Sequence, residues 1–226
     1  MYSSKMYNRS ALVVFIICSL LIRGFYYVVD ILLSVLVPKY TSLEAHRKLY
    51  IQKNLIKSLV LALMLPPAVV FIVYPIWRSD IWHTATIQLF AVVYGANDFV
   101  GLLCVDRLPT TTRIHHMIST FLVLTSLSMD FKTSPVAQSM LVYTFFAASS
   151  YIVNFQLAVR WFFPRGSMRW LRYVAGAIYA LSCTLSWSWQ LWWAWKTTLE
   201  LYHFVYIGLM LWIVRDDIIL MRWLTV

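Results

Sequence analysis

Apolar residues run through this chain in long blocks, separated by short connectors rich in Lys, Arg, Ser, Thr and Pro. A block of about 20 apolar residues is the length an α-helix needs to cross a bilayer core. In that medium the backbone must satisfy its own hydrogen bonds, so each block is expected to be a helix rather than an open sheet. The pattern predicts seven spans, at 11–37, 55–77, 85–105, 109–129, 136–163, 170–192 and 195–214. Pro66 and Pro67 fall inside the second and are expected to kink it. Pro109 is expected to start the fourth, since proline suits the first helical position. Trp187, Trp189, Trp192, Trp193 and Trp195 crowd the junction of the last two blocks, as an interfacial aromatic belt would. Lys5 and Arg9 ahead of ALVVFIICSLLI also fit a signal peptide, but no small-residue cleavage pattern follows, so an uncleaved span is expected.

Composition narrows the class further. Of 226 residues, 61% are hydrophobic and 12% charged, with a mean hydropathy of +0.71. A soluble domain would carry about 25% charged residues. That excludes a separate soluble domain of any size and leaves an all-α, polytopic membrane protein. The net charge of +10 is a matter of topology rather than of nucleic acid, because the basic residues fall mostly in connectors. Counted over alternate connectors, one side receives Lys39, Arg47, Lys48, Lys53, Lys57, Arg107, Arg113, Arg160, Arg165, Arg169, Arg172, Arg215 and Arg222. The other receives Lys5, Arg9, Arg78, Lys132 and Lys196. The richer side is expected to be cytosolic, with a lumenal N-terminus and a cytosolic C-terminus. Cys18, Cys104 and Cys183 stand singly in different blocks, which predicts free buried thiols and neither disulfides nor a zinc site. Arg23 and Asp30, seven residues apart in the first block, are expected to form a structural ion pair, within that helix or with a neighbour.

The chemistry concentrates in residues 94–129, where Asp98 lies in one apolar block and His115 and His116 lie in the next. Ionisable groups in a hydrocarbon layer are costly and usually face a cavity. A short linker makes the two helices antiparallel neighbours, with Asp98 and His116 each about seven residues, roughly 10 Å, below the same face. Asn154 of the fifth block, with Ser149 and Ser150 a turn deeper, is expected at a similar depth. Three readings suit such a cluster. The first is structural, the histidines holding the bundle by hydrogen bonds. The second is a metal site, but di-iron hydroxylases need many clustered histidines and this chain has five, three of them scattered, so no metal is expected. The third is acid–base or nucleophilic work, Asp98 orienting one imidazole. Adjacent helical residues point about 100° apart, so a single histidine, taken to be His116, can face Asp98 squarely.

The pattern Tyr94-x3-Asp98 followed by Arg113-Ile114-His115-His116 resembles the TLC domain, shared by translocation-associated proteins, ceramide synthases and smaller relatives. The resemblance covers about 54–212 and divides the chain into an N-terminal span, 1–40, and a six-span bundle, 41–226. It implies a protein of the endoplasmic reticulum with a lipid pocket open toward the cytosol. His115, His116 and Asp98 would be catalytic, and Asn154, Ser149, Ser150, Tyr94 and Arg113 would bind substrate. It further implies acyl-CoA as a co-substrate with no bound cofactor, membrane lipids such as a sphingoid base as acyl acceptors, and association as a homo-oligomer. The activity implied is acyl transfer to a lipid amine or hydroxyl. The sequence departs from the family at Ala147, where the smaller relatives carry Glu, at Leu61, where an early histidine is expected, and in lacking the HDxSD signature of ceramide synthases. Those departures keep open a non-enzymatic lipid binder that adjusts membrane composition, or a helical partner for another membrane protein. A G-protein-coupled receptor, invited by Asp106-Arg107-Leu108 after the third block, is disfavoured by short loops and the lack of an NPxxY-like end in the seventh.

Overall fold

The computed structural model describes residues 9–164 and 166–225, and among these the regular structure is entirely helical. Lys5 and Arg165, two of the charges counted above, lie outside the described residues. The elements are α1 (Arg9–Leu36), α2 (Pro38–Thr41), α3 (Ala45–Ala68), a π-helical turn (Val69–Val73), α4 (Tyr74–Ser79), α5 (Thr84–Cys104), α6 (Thr110–Ser126), α7 (Pro135–Ala148), α8 (Tyr151–Val159), α9 (Arg169–Lys196) and α10 (Leu201–Thr225). Among the described residues, four stretches are long and apolar enough to cross a membrane: Arg9–Leu36, Ala45–Ser79, Thr84–Cys104 and Pro135–Val159.

Helix α5 is the axis. In its most apolar window 61% of residues are buried, against 17% in α1, so α5 is surrounded by protein while α1 lies at the periphery. It packs against α1, α3, α6 and α7. One stripe of α1, including Phe15, Ile22 and Tyr26, meets Val92, Ala96 and Val100 of α5. Toward α6 the backbones come so close that a Cβ on Gly95 would lie 2.8 Å from Cγ1 of Val123, which only glycine avoids. Gln88 of α5 completes the join by donating to the carbonyls of Leu127 and Met129, at 3.2 and 3.3 Å, past the end of α6. Carbonyls there have no partner within the helix, so the amide fills a need that lipid could not.

Pro66 and Pro67 lie within a helix that continues past them. Each lacks an N–H, and the helix widens just beyond them into the π turn Val69–Val73, which absorbs the misfit. Pro109 precedes α6 as its N-cap, in extended conformation, and the helix starts at Thr110. The block at 136–163 is two helices. At the break Ser149 Oγ donates to Phe146 O (2.6 Å) and is hydrogen-bonded to the hydroxyl of Ser182 (2.6 Å), while Asn154 Nδ2 donates to Ser150 O (2.9 Å). Side-chain bonds of this kind compete with the helical ladder. Asp30 does not pair with Arg23: it accepts from Tyr40 (2.6 Å) and Gln52 (2.7 Å), tying α1 to α2 and α3, while Arg23 lies over the ring of Tyr27. The tryptophans sit within the last turns of α9 rather than at a turn, with Trp193 packed on His203 and Tyr206 of α10.

Candidate active site

The local sequence explains how the polar centre is assembled. On α3, Tyr50, Lys53, Asn54 and Lys57 recur at helical spacing and so share one face. That face turns inward toward α5 and α8, and Lys53, Asn54 and Lys57 are buried. On α5 the inward stripe includes Tyr94, Asp98 and Gly101. Asp98 is fully buried and carries three partners. Its Oδ1 accepts from Lys57 Nζ and lies 2.9 Å from His116 Nδ1, and its Oδ2 accepts from Ser119 Oγ at 2.6 Å. The His116 contact is an ion-pair approach rather than an aligned hydrogen bond. Its other nitrogen, Nε2, is buried and has no partner among the described residues.

His115 belongs to a second cluster. Its Nδ1 is 3.2 Å from Asp216 Oδ2 and its Nε2 is 3.2 Å from the hydroxyl of Tyr143. Thr112 donates to the other oxygen of Asp216 at 3.2 Å, and beside it Tyr179 donates to Asp217 at 2.7 Å. The adjacent histidines diverge, with ring planes at 67° and centroids 5.5 Å apart, as their helical geometry requires. Each therefore faces its own carboxylate, from α5 for His116 and from α10 for His115.

Both histidines line a cavity of about 340 Å³, bounded also by Tyr50, Asn154, Arg160 and Trp223. Tyr94 and Ser150 lie on its wall, so it gathers His115, His116, Tyr94, Ser150 and Asn154 from the residues singled out in the sequence. Asp98 stands one layer behind, reaching the cavity through His116 and Lys57. Two others do not join. Ser149 is tied to Ser182, and Arg113 donates to the carbonyl of Asp106 at 2.7 Å in an exposed turn. A smaller cavity of about 50 Å³, mostly apolar, adjoins Tyr94 and Tyr143.

Sequence reasoning overlooked Lys53, Lys57, Tyr143, Tyr179, Asp216 and Asp217. In the linear chain the two lysines fall among the connector charges, and the apolar run of the last span ends before the aspartates. For these four a signal was present. Lys53 and Lys57 sit on one face of a helix with Tyr50 and Asn54, and IVRDDIILM sets two acids inside an apolar run. The ligating atoms of Asp98, His115 and His116 all fall within 4.8 Å of one another, close enough to share a cation. Lys57 already brings a positive charge to Asp98 there, and Asp216 and Tyr143 already engage His115.

The fold and this centre define a helical protein with apolar helices of membrane-crossing length around a buried polar cavity. Comparison with known proteins finds no matching family model, no matching curated protein and no matching solved structure.

Proposed function

We propose that the chain is a seven-span, TLC-like lipid-handling protein of the endoplasmic reticulum, and that it transfers an acyl group from acyl-CoA to a lipid amine or hydroxyl. The observation that carries this reading is the pairing of each histidine with a carboxylate from another helix, both imidazoles lining one cavity. In the neutral tautomer that carries its proton on Nδ1, the nitrogen 2.9 Å from Asp98, His116 holds a lone pair on its unpartnered Nε2. That nitrogen takes the proton as the acceptor's N or O bonds to the acyl carbon. The carbon–sulfur bond then breaks, and the departing thiolate takes the proton back from the imidazolium. Asp98 stabilises the imidazolium in between, and the buried setting strengthens that interaction. The cavity's walls include apolar and aromatic side chains such as Phe146, Leu157 and Trp187, suited to an acyl chain.

A second reading rests on a different observation. Lys57, Ser119 and His116 already satisfy both oxygens of Asp98, as a purely structural cluster would. On that reading the protein binds lipid without transforming it. Purified protein in detergent, incubated with long-chain acyl-CoA and a panel of amine and hydroxyl lipids, separates the two. Acylated lipid detected by mass spectrometry supports the transferase. Its absence across the panel, with lipid still co-purifying, supports the binder.

A further inference from the structure

At the end of the cavity nearest the start of α3 and the end of α8, two cations stand without an acid. Lys53 precedes Lys57 by one turn and is 5% exposed. Its stem runs along Gly101 of α5, where a Cβ would lie 3.6 Å from its Cγ and Cε. Lys57 is neutralised by Asp98, but Lys53 makes no hydrogen bond or ion pair among the described residues. The nearby carboxylates are engaged elsewhere: Asp98 by Lys57, His116 and Ser119, and Asp216 by His115 and Thr112. Arg160, at the end of α8, faces the same space. Its guanidinium carbon lies 5.9 Å from the centroid of Tyr50, 5.1 Å from Trp161 and 4.5 Å from Trp223, and its Nε is buried without a hydrogen-bond partner. Lys53 Nζ lies 5.9 Å from that same Tyr50 ring.

Aromatic faces attract a cation but bear no net charge and cannot replace the anionic oxygens that an N–H seeks. An ammonium taken out of water without a counter-ion is costly. Two such groups bordering one cavity call for an anion of more than one charge. We propose that Lys53 and Arg160 form a phosphate subsite, holding the phosphate of the lipid or of a soluble phosphate ester while its acyl or acceptor portion extends toward His116. A phosphate carries up to two negative charges and several acceptor oxygens, matching one point charge and one guanidinium fork. A fatty carboxylate would leave one of the two cations uncompensated. The proposal deepens the acyl-transfer reading, but its test reads binding rather than turnover, so either can fail while the other stands.

The test is thermal unfolding of the full chain in neutral detergent micelles, titrated with phosphatidic acid, CoA, inorganic phosphate, or diacylglycerol as the uncharged control. A phosphate-bearing probe raises Tm in a concentration-dependent way and diacylglycerol does not. A response to phosphatidic acid alone assigns the subsite to a lipid headgroup, and a response to CoA or phosphate assigns it to a soluble ester. Lys53→Gln and Arg160→Gln each weaken the responding probe by about tenfold or more, and Arg160→Lys by less. Lys132→Gln, which alters an exposed lysine paired with Asp80, leaves it unchanged. Without any probe, Lys53→Gln unfolds at or above the wild-type temperature, since it removes an uncompensated buried charge; a merely structural lysine would lower it. Inorganic sulfate displaces the probe from wild type, which keeps the test decisive if a variant does not fold. No shift from any phosphate-bearing probe, an equal shift from diacylglycerol, or wild-type binding by both glutamine variants overturns the proposal.

Discussion

At the scale of single residues, the centre works by matching charges that the apolar surroundings make costly to leave alone. Asp98 shares one oxygen between Lys57 and His116 and gives the other to Ser119. On the acyl-transfer reading, His116→Ala and Asp98→Asn each lower turnover by roughly 10² or more, the scale of lost acid–base catalysis. The double variant is little worse than either, because the pair acts as one unit. Lipid retained on purification stays near wild type in all three, checked by mass spectrometry alongside the acyl-transfer assay. Loss of folded protein together with lipid would instead mark His116 and Asp98 as structural. Lys57→Met tests the ion pair itself. Removing one partner of a buried pair strands the other, at a cost of about 3–5 kcal/mol, and adding Asp98→Asn to that variant should recover much of the stability. Thermal unfolding in detergent reads both, and additive losses would mean that the lysine and the aspartate are not coupled.

Between elements, the controlling contact is the close passage of α5 against α6, because it brings Asp98 within reach of His116. Gly95 permits it, since any Cβ there meets Val123. Gly95→Ala should destabilise the protein by roughly 1–3 kcal/mol, the range for overpacking, and should weaken acyl transfer by moving α6. Val123→Ala in the same chain should restore most of both, and a double variant no better than Gly95→Ala would show that the two helices part by another route. The break between α7 and α8 shows how local chemistry can overrule a hydrophobic pattern. Residues 136–163 read as one span because nearly every position is apolar, yet at the break the side chains of Ser149 and Asn154 bond the carbonyls of Phe146 and Ser150, and Ser149 also bonds Ser182 of α9. The pair Pro66 and Pro67 shows the reverse. The helix runs on through both prolines and widens into the π turn Val69–Val73, a feature that itself favours a bend.

For the whole molecule, the connectors sort to two ends. Lys132 meets Asp80 (3.1 Å) and Thr84 meets Asp130 (2.8 Å), so the connectors before α5 and before α7 share one end. Arg47 stacks on Trp161 and Arg160 on Trp223, gathering the start of α3 with the ends of α8 and α10 at the other. Most of the chain's basic residues belong to this second group, including Arg107, Arg113, Arg169 and Arg222. We therefore expect it to face the cytosol. In sealed microsomes, tags inserted at 166–167 and after 225 should be digested by added protease, while a tag at Lys132 should be protected. Protection of the tag at 166–167 would reverse the orientation and leave the cavity residues unchanged.

What the linear chain determined by itself was the helical class of structure and the pairing of Asp98 with His116. Apolar blocks of membrane-crossing length dictate helices because hydrocarbon offers backbone groups no other partner. Asp98 and His116 follow from rise per residue, which sets both the same distance from a short connector whatever else the fold does. Partnership across the molecule was decided only in three dimensions. Lys53 and Lys57 look like connector charges until α3 begins at Ala45 and turns that face inward. Asp216 finds His115 across 101 residues only because α10 continues past the apolar run and packs beside α6. Arg113 and Ser149 carry promising side chains, yet neither lines the cavity, Arg113 being held by Asp106 O and Ser149 by Phe146 O and Ser182. Helical periodicity says which residues share a face but not which face meets which neighbour, and that choice depends on how all the helices close around α5.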